Sequence, residues 1–178
     1  TPPHGMYDIP ADDPAWKLYE NDSWIQNPAI TQDTKNYAAM VSMVDHNLKQ
    51  VLDLLKKLDL EKNTIVFFTG DNGGQDRFRS KKYPRGFFGP NVNPVNKTEF
   101  RGGKGNLYEG GLRIPFIVRW PGKIAPNQTS DLLFNQVDIL PTLAELTQTQ
   151  APSDIDGLSI LPELLGPKQV GRAQEQHR

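Results

Sequence analysis

Two short groups of polar residues have the types and spacing that cation and anion chemistry requires. Asp71 and Asn72 follow the apolar run 64–69 and lie between glycines. A carboxylate beside an amide oxygen offers two hard oxygen ligands, which suit Ca²⁺ or Mg²⁺. The flanking glycines permit a tight turn that would aim both side chains at one point. Because Asp-Asn-Gly is also a common turn sequence, these residues taken alone favour an ordinary turn.

Lys104 is the one cation in a second, glycine-rich stretch, residues 102–111. Glycines on both sides let the backbone pass close to a ligand. The lysine ammonium is a good point-charge partner for sulfate or phosphate. The spacing of a P-loop is absent. A solvated lysine in a flexible surface loop is the alternative interpretation.

His4 follows two prolines at the start of the chain. Its imidazole could donate a proton or bind an anionic oxygen near neutral pH. A lone histidine in a loop is more often an ordinary surface residue, so the sequence leaves both roles open.

A long amphipathic helix is the clearest element that the sequence predicts, starting at Thr34. Apolar residues recur at three- and four-residue spacing, at Tyr37, Met40, Val41, Val44, Leu48, Val51, Leu52 and Leu55. Thr31 or Thr34 can cap its start, and Lys56 and Lys57 suit the dipole at its end.

The run Thr64–Thr69 is apolar on both faces and rich in β-branched and aromatic residues. This pattern predicts a central, buried strand. A helix followed by a buried strand is half of a βαβ unit, so the sequence favours an α/β fold. Ligand sites in open α/β sheets gather outside the carboxyl ends of strands, which is where Asp71 and Asn72 lie.

The rest of the chain has fewer regular patterns. Residues 1–30 and 75–103 are expected to be irregular because they lack sustained periodicity. Gly110–Trp120 predicts a second strand. Asp138–Leu146 predicts a short helix, with Asp138 as its cap.

Composition excludes several kinds of site. The 178 residues carry a net charge of -1 and no cysteine, which rules out disulfides, thiolate metal sites and a cysteine nucleophile within this stretch. The near-zero charge argues against nucleic acid as a partner, and no apolar run is long enough for a membrane span. The chain starts without methionine and closes on no visible element, so we expect a piece of a longer protein.

Taken together, these segments resemble the sulfatase family of the alkaline phosphatase-like fold. The matching stretches occur in family order over nearly the whole chain, at residues 3–5, 37–41, 45, 63–73, 103–115, 120–122, 137–143 and 156–159. The resemblance implies an α/β sandwich in which helices flank a mostly parallel central sheet. It places residues 1–178 in the C-terminal part of the catalytic domain.

The resemblance also assigns roles to single residues. Asp71 and Asn72 match two ligands of the family's divalent cation, which is Ca²⁺ in preference to Mg²⁺. Lys104 matches the lysine that contacts the sulfate and the leaving-group oxygen. His4 matches a histidine that also faces the sulfate and can protonate the leaving alcohol.

By the same resemblance, the intact enzyme hydrolyses sulfate monoesters, with sulfated sugars among the candidate substrates. The family's nucleophile is a formylglycine made from Cys or Ser in a motif that this sequence lacks. The remaining metal ligands and the small C-terminal domain also have no counterpart. We therefore expect these residues alone to be inactive, and the missing half of the same protein to be a partner. The resemblance further implies an exported parent, whether periplasmic, secreted or lysosomal.

Two other classes of function stay open. One is a phosphate or phosphonate ester hydrolase of the same superfamily, and the other is a non-catalytic binding module that retains the fold. Residues 75–100 interleave basic and aromatic side chains. They fit a solvated loop as well as they fit a lid over an anionic sugar.

Overall fold

Both helices and short strands occur in the computed structural model, which describes residues 3–4, 7–75, 77–79, 84–87 and 91–166. The elements are α1 (Ser23–Gln26), α2 (Gln32–Lys57), β1 (Val66–Thr69), β2 (Arg77–Arg79), β3 (Pro84–Phe87), α3 (Glu109–Leu112), β4 (Phe116–Arg119), α4 (Ile139–Leu146) and α5 (Leu161–Leu165). Contacts divide the chain into two compact units, Thr1–Val118 and Arg119–Arg178. In the described ranges, no helix has the length and apolarity needed to cross a membrane.

The predicted long helix is confirmed as α2, and its ends follow local chemistry. The Thr31 hydroxyl accepts a hydrogen bond from the Thr34 backbone N–H at 3.3 Å, so Thr31 is the cap. Lys56 and Lys57 lie in the last turn, where their charge complements the exposed carbonyl groups. The sequence pattern therefore predicted the start within two residues and the end correctly.

The core of the first unit lies between α2 and the segment that precedes it. Its buried residues are Tyr7, Ile9, Ala15, Ala39 and Met40. The preceding segment was predicted to be irregular throughout, but it contains a 3₁₀ turn, Pro14–Leu18, and the short helix α1. That prediction was wrong because burial of Tyr7, Ile9 and Ala15 orders a sequence that shows no periodicity of its own.

Polar and aromatic contacts fasten this segment to α2. The Asn36 side-chain amide donates to the Tyr7 carbonyl oxygen at 2.8 Å. The rings of Tyr7 and Tyr37 meet edge to face, with 5.3 Å between their centroids. Burial raises the pKa of the Tyr37 hydroxyl above its ordinary value, because the charged phenolate would lose its water.

The strand after α2 is present, but it is less buried than predicted. β1 pairs with β4, and the Phe67 and Phe116 rings pack together with 5.8 Å between centroids. All four residues of β1 are half-buried. The prediction of a fully buried central strand was therefore wrong for the described part of the chain, where β4 is the neighbour of β1.

Two further predictions about local structure were also wrong. Within residues 75–103, β2 and β3 form an antiparallel pair, and Val92 and Glu99 form an isolated bridge. The predicted second strand begins at Phe116, because residues 109–112 form α3 instead. Glycine tolerates either conformation, so the glycines at 110 and 111 carry no local signal for strand or helix.

The second unit is organised around a buried carboxylate. Asp138 closes a 3₁₀ turn before α4, and its side chain accepts the Asn135 backbone N–H at 2.7 Å. Its other oxygen accepts the Leu158 N–H, also at 2.7 Å. The Thr142 hydroxyl donates to the Asp138 carbonyl at 2.6 Å and accepts the Ile160 N–H at 3.0 Å. The predicted helix is thus present as α4 with Asp138 before its first residue, but the Asp138 side chain makes no capping hydrogen bond to α4 and binds Asn135 and the segment that precedes α5 instead.

We expect Asp138→Ala to lower the free energy of unfolding by at least roughly 2 kcal/mol, because it leaves two backbone N–H groups without an acceptor. Chemical denaturation followed by circular dichroism measures this change. The matched control is Asp154→Ala, an exposed aspartate in the same unit, which should stay within about 0.5 kcal/mol of the parent sequence. Equal denaturation midpoints for the two variants would contradict the role given to Asp138.

Candidate functional site

The turn that follows β1 presents the predicted cation ligands. Asp71 is exposed and Asn72 is half-buried. The Asn72 side-chain nitrogen donates to the Gly73 carbonyl at 2.9 Å. Because this bond uses the amide nitrogen, Oδ1 is the Asn72 atom that can bind a cation. The turn therefore offers a carboxylate and an amide oxygen on adjacent residues.

The glycine-rich stretch forms a closed loop that carries Lys104. The Gly110 N–H donates to the Arg101 carbonyl at 3.0 Å, and the Arg101 guanidinium lies 3.7 Å above the centre of the Tyr108 ring. Gly102 has φ +71°, a conformation that side chains disfavour. These contacts close the base of the loop, which leaves the Lys104 side chain exposed at its tip.

Main-chain hydrogen bonds join this loop to the turn after β1. The Lys104 N–H donates to the Gly74 carbonyl at 2.9 Å, and the Gly73 N–H donates to the Gly111 carbonyl at 2.9 Å. Lys104 is far from Asp71 and Asn72 in sequence, but these residues thus lie on segments in direct backbone contact. We call this contact the glycine seam.

The seam leaves no room for side chains on Gly73 and Gly111. A Cβ atom on Gly73 would overlap the Gly110 carbonyl oxygen and lie 2.7 Å from the Gly111 Cα. A Cβ atom on Gly111 would overlap the Asn106 carbonyl oxygen and lie 2.7 Å from the Gly103 carbonyl oxygen. These glycines are therefore required for close packing as well as for tight turns.

Asn91 also belongs to the site, and sequence reasoning missed it. Its side-chain nitrogen donates to the Gly74 carbonyl at 2.8 Å and to the Gly110 carbonyl at 2.9 Å. Asn91 lies in the segment that was predicted to be irregular. Neither periodicity nor composition distinguishes it from the neighbouring asparagines Asn93 and Asn96.

His4 is exposed, three residues before the buried Tyr7. In the described ranges, no hydrogen bond or ion pair links His4 to Lys104, so its place in the site stays a prediction. The basic and aromatic side chains between residues 76 and 90, for which a solvated loop and a lid over an anionic sugar both stayed open, lie outside the described side chains.

The charged groups of the site are free to bind ligands. Among the described residues, neither the Asp71 carboxylate nor the Lys104 ammonium has a hydrogen-bonding or ion-pair partner. No group of three or more His, Asp or Glu side chains that could hold a metal occurs in that part of the chain. The oxygen donors of Asp71 and Asn72 suit Ca²⁺, which takes six to eight such ligands, so further ligands must come from elsewhere.

Comparison with known proteins gives a consistent result. The family model described as Sulfatase matches residues 2–149. The chain is 38% identical over 134 residues to steryl-sulfatase of Rattus norvegicus, covering 73% of this chain and 22% of that protein. It is 36% identical over 138 residues to N-acetylgalactosamine-6-O-sulfatase of Bacteroides thetaiotaomicron, covering 75% of this chain and 26% of that protein.

A solved structure matches in fold as well. The crystal structure of Ps i-CgsB in complex with k-i-k-neocarrahexaose superposes with a TM-score of 0.69 and 25% sequence identity, covering 91% of this chain and 31% of that chain. The chain spans about a fifth to a quarter of the length of these curated relatives.

We expect Gly73→Ala to open the glycine seam, because the added methyl group would collide with the Gly110 carbonyl. Overpacking of this kind costs roughly 1–3 kcal/mol or more. Hydrogen exchange should show lost protection of the Lys104 amide, and thermal unfolding should shift to lower temperature.

The control for this experiment is Gly70→Ala, four residues before Gly74 in the same turn. Its Cβ would meet the Asn72 carbonyl oxygen at 3.4 Å, an ordinary contact. Equal protection of the Lys104 amide in the Gly73→Ala and Gly70→Ala variants would refute the requirement for glycine at position 73.

Proposed function

The chain belongs to the sulfatase family, and we propose that the longer protein in which it acts, here the parent protein, hydrolyses sulfate monoesters. The observation that carries this proposal is the glycine seam. The seam includes the bond from the Lys104 N–H to the Gly74 carbonyl at 2.9 Å. It thereby holds the turn that carries Asp71 and Asn72, here the cation turn, beside the exposed Lys104. A sulfate monoester is a tetrahedral monoanion whose leaving group is an alcohol. A cation bound at Asp71 and Asn72, with the Lys104 ammonium beside it, would supply the positive charge that such a group requires.

Asp71 and Asn72 are proposed to hold Ca²⁺ together with ligands from the rest of the parent protein. When bound, the cation supplies positive charge to the sulfuryl oxygens. The Asn72 amide nitrogen is bonded to the Gly73 carbonyl, which orients Oδ1 as the donor. Asp71 contributes the negative charge that a hard cation requires.

Lys104 is proposed to contact the sulfate and the leaving-group oxygen. Its backbone is fixed at the seam, while its ammonium has no partner among the described residues and can meet the substrate. Positive charge placed where negative charge develops stabilises the transition state without reorganisation at the moment of reaction. Lys104 or His4 would protonate the departing alcohol.

The nucleophile is proposed to be a formylglycine in another part of the parent protein, since this sequence has no cysteine and none of its serines lies in the family's formylglycine motif. When present, the formylglycine supplies the oxygen that attacks sulfur. The residues of this chain then bind and orient the sulfate and hold the proton for the leaving group.

A sulfated carbohydrate is the proposed substrate class. The bacterial relative is named for a sulfated amino sugar, and the matched solved structure holds an oligosaccharide. Steryl-sulfatase shows that the family also includes a protein named for a steroid ester. Turnover of an N-acetylgalactosamine 6-sulfate against a steroid sulfate by the parent protein distinguishes the two classes.

The rest of the parent protein is also the proposed partner of this chain. α2 leaves Val51 52% and Leu54 53% exposed, and the apolar strand β1 is half-buried. Apolar surface of this kind is stabilised when another part of the same protein covers it.

The purified 178-residue chain should therefore show no sulfate-ester turnover, whereas the parent protein should be active in the same assay. Turnover by the isolated chain would contradict this division of the site.

We expect Lys104→Ala to lower kcat/KM of the parent protein for an aryl sulfate by about a thousandfold, or roughly 3–4 kcal/mol of barrier. The control is Lys123→Ala, which removes an exposed lysine from a turn in the second unit and should leave the rate unchanged. Unchanged turnover by Lys104→Ala would refute the role given to Lys104, and a parent protein that turns over no sulfate ester would favour a binding module over an enzyme. Faster turnover of aryl phosphate than of aryl sulfate would favour a phosphoesterase instead.

A further inference from the structure

The Asn91 side chain spans the glycine seam. Its single nitrogen carries two hydrogens, and the structure uses both. One is donated to the Gly74 carbonyl at 2.8 Å, and the other to the Gly110 carbonyl at 2.9 Å. Gly74 belongs to the turn after β1 and Gly110 to the segment that closes the Lys104 loop, so one amide group bonds to both sides.

Gly74 and Gly110, whose carbonyl oxygens accept the Asn91 bonds, also take part in the main-chain hydrogen bonds of the site. The Gly74 carbonyl accepts the Lys104 N–H at 2.9 Å as well as the Asn91 amide. The Gly110 N–H donates to Arg101 at the base of the loop, while its carbonyl accepts Asn91. The Asn91 bonds therefore add to the main-chain bonds at the residues that set the spacing of the site.

The backbone of Asn91 is anchored independently of the seam. Its carbonyl accepts the Phe100 N–H at 2.7 Å, which closes the base of a hairpin formed by residues 92–99. Within that hairpin, the Asn93 N–H donates to the Thr98 carbonyl at 2.9 Å. Asn91 thus extends from a hydrogen-bonded base outside the seam, so its side chain can help to fix the seam.

We propose that Asn91 is a positioning residue, which sets the distance between the cation turn at Asp71–Asn72 and Lys104. This inference rests on the proposed function. Two carbonyl oxygens require two N–H donors, and a carboxamide supplies both from one atom. Aspartate has the same shape but would place an unprotonated carboxylate oxygen against both carbonyls. The role is therefore specific to the amide and is separable from side-chain size.

The consequence for catalysis follows from geometry. Displacement of a catalytic group by about 1 Å can lower a rate by about a hundredfold. Asn91 does not need to touch the substrate to have this effect, because Lys104 and the cation turn must meet the same sulfate group. Loss of the Asn91 bonds should lower kcat more than it raises KM.

The test is Asn91→Asp in the parent protein. Amide exchange at Lys104 and Gly73 should become about tenfold faster for each bond lost, while exchange in α2 stays unchanged. With a sulfate ester as substrate, kcat should fall about 10- to 100-fold. Asn91→Ser, which is uncharged and keeps one donor, should show the same pattern to a smaller degree if Asn91→Asp fails to fold.

Asn96→Asp is the matched control, from the same hairpin. The Asn96 side-chain oxygen accepts the Thr98 N–H at 3.0 Å and the Thr98 hydroxyl at 2.7 Å, and aspartate retains an oxygen that can accept both bonds. Exchange and kcat should match the unmodified protein.

Unchanged exchange at Lys104 and Gly73 in both Asn91 variants would overturn the proposal. So would exchange that rises equally throughout α2, since that pattern reports general destabilisation. Faster exchange confined to the seam, in a parent protein without sulfate-ester turnover, would support the positioning role and refute the proposed function.

Discussion

The site depends on one close contact between main chains. The Gly73 N–H and the Gly111 carbonyl meet at 2.9 Å, and the Lys104 N–H meets the Gly74 carbonyl at the same distance. Gly73 has no room for a side chain at this contact, since a Cβ atom there would overlap the Gly110 carbonyl oxygen and lie 2.7 Å from the Gly111 Cα. Because the contact is made by the backbone, the functional side chains need not hold the site together and can remain available for ligands.

Sequence predicted the parts of this arrangement that local rules determine. α2 was predictable because its apolar period, its Thr31 cap and its terminal lysines all indicate the same helix. The place of Asp71 and Asn72 after β1 also followed from the apolar run 64–69, while their role as cation ligands stays a prediction. The α/β class and the sulfatase resemblance are confirmed by the family match over residues 2–149 and by the solved relative.

The remainder was not predictable because it depends on partners that are distant in sequence. Asn91 differs from its neighbouring asparagines only in the two carbonyl groups that reach it. β1 was expected to be buried from its composition, but burial depends on which segments cover it. Residues 110 and 111 are helical, and no property of glycine itself indicates that outcome.

Asp138 and Asn91 each hold two backbone segments together, and they differ in chemical type because the backbone groups that they bond to differ. Asp138 faces the Asn135 and Leu158 N–H groups and must be an acceptor, which a carboxylate is. Asn91 faces two carbonyl groups and must be a donor, which a carboxylate is not. In this chain, therefore, polar residues whose hydrogen bonds are satisfied by backbone hold the loops in place. Lys104 and Asp71, unpaired within the described ranges, keep their charge for a ligand.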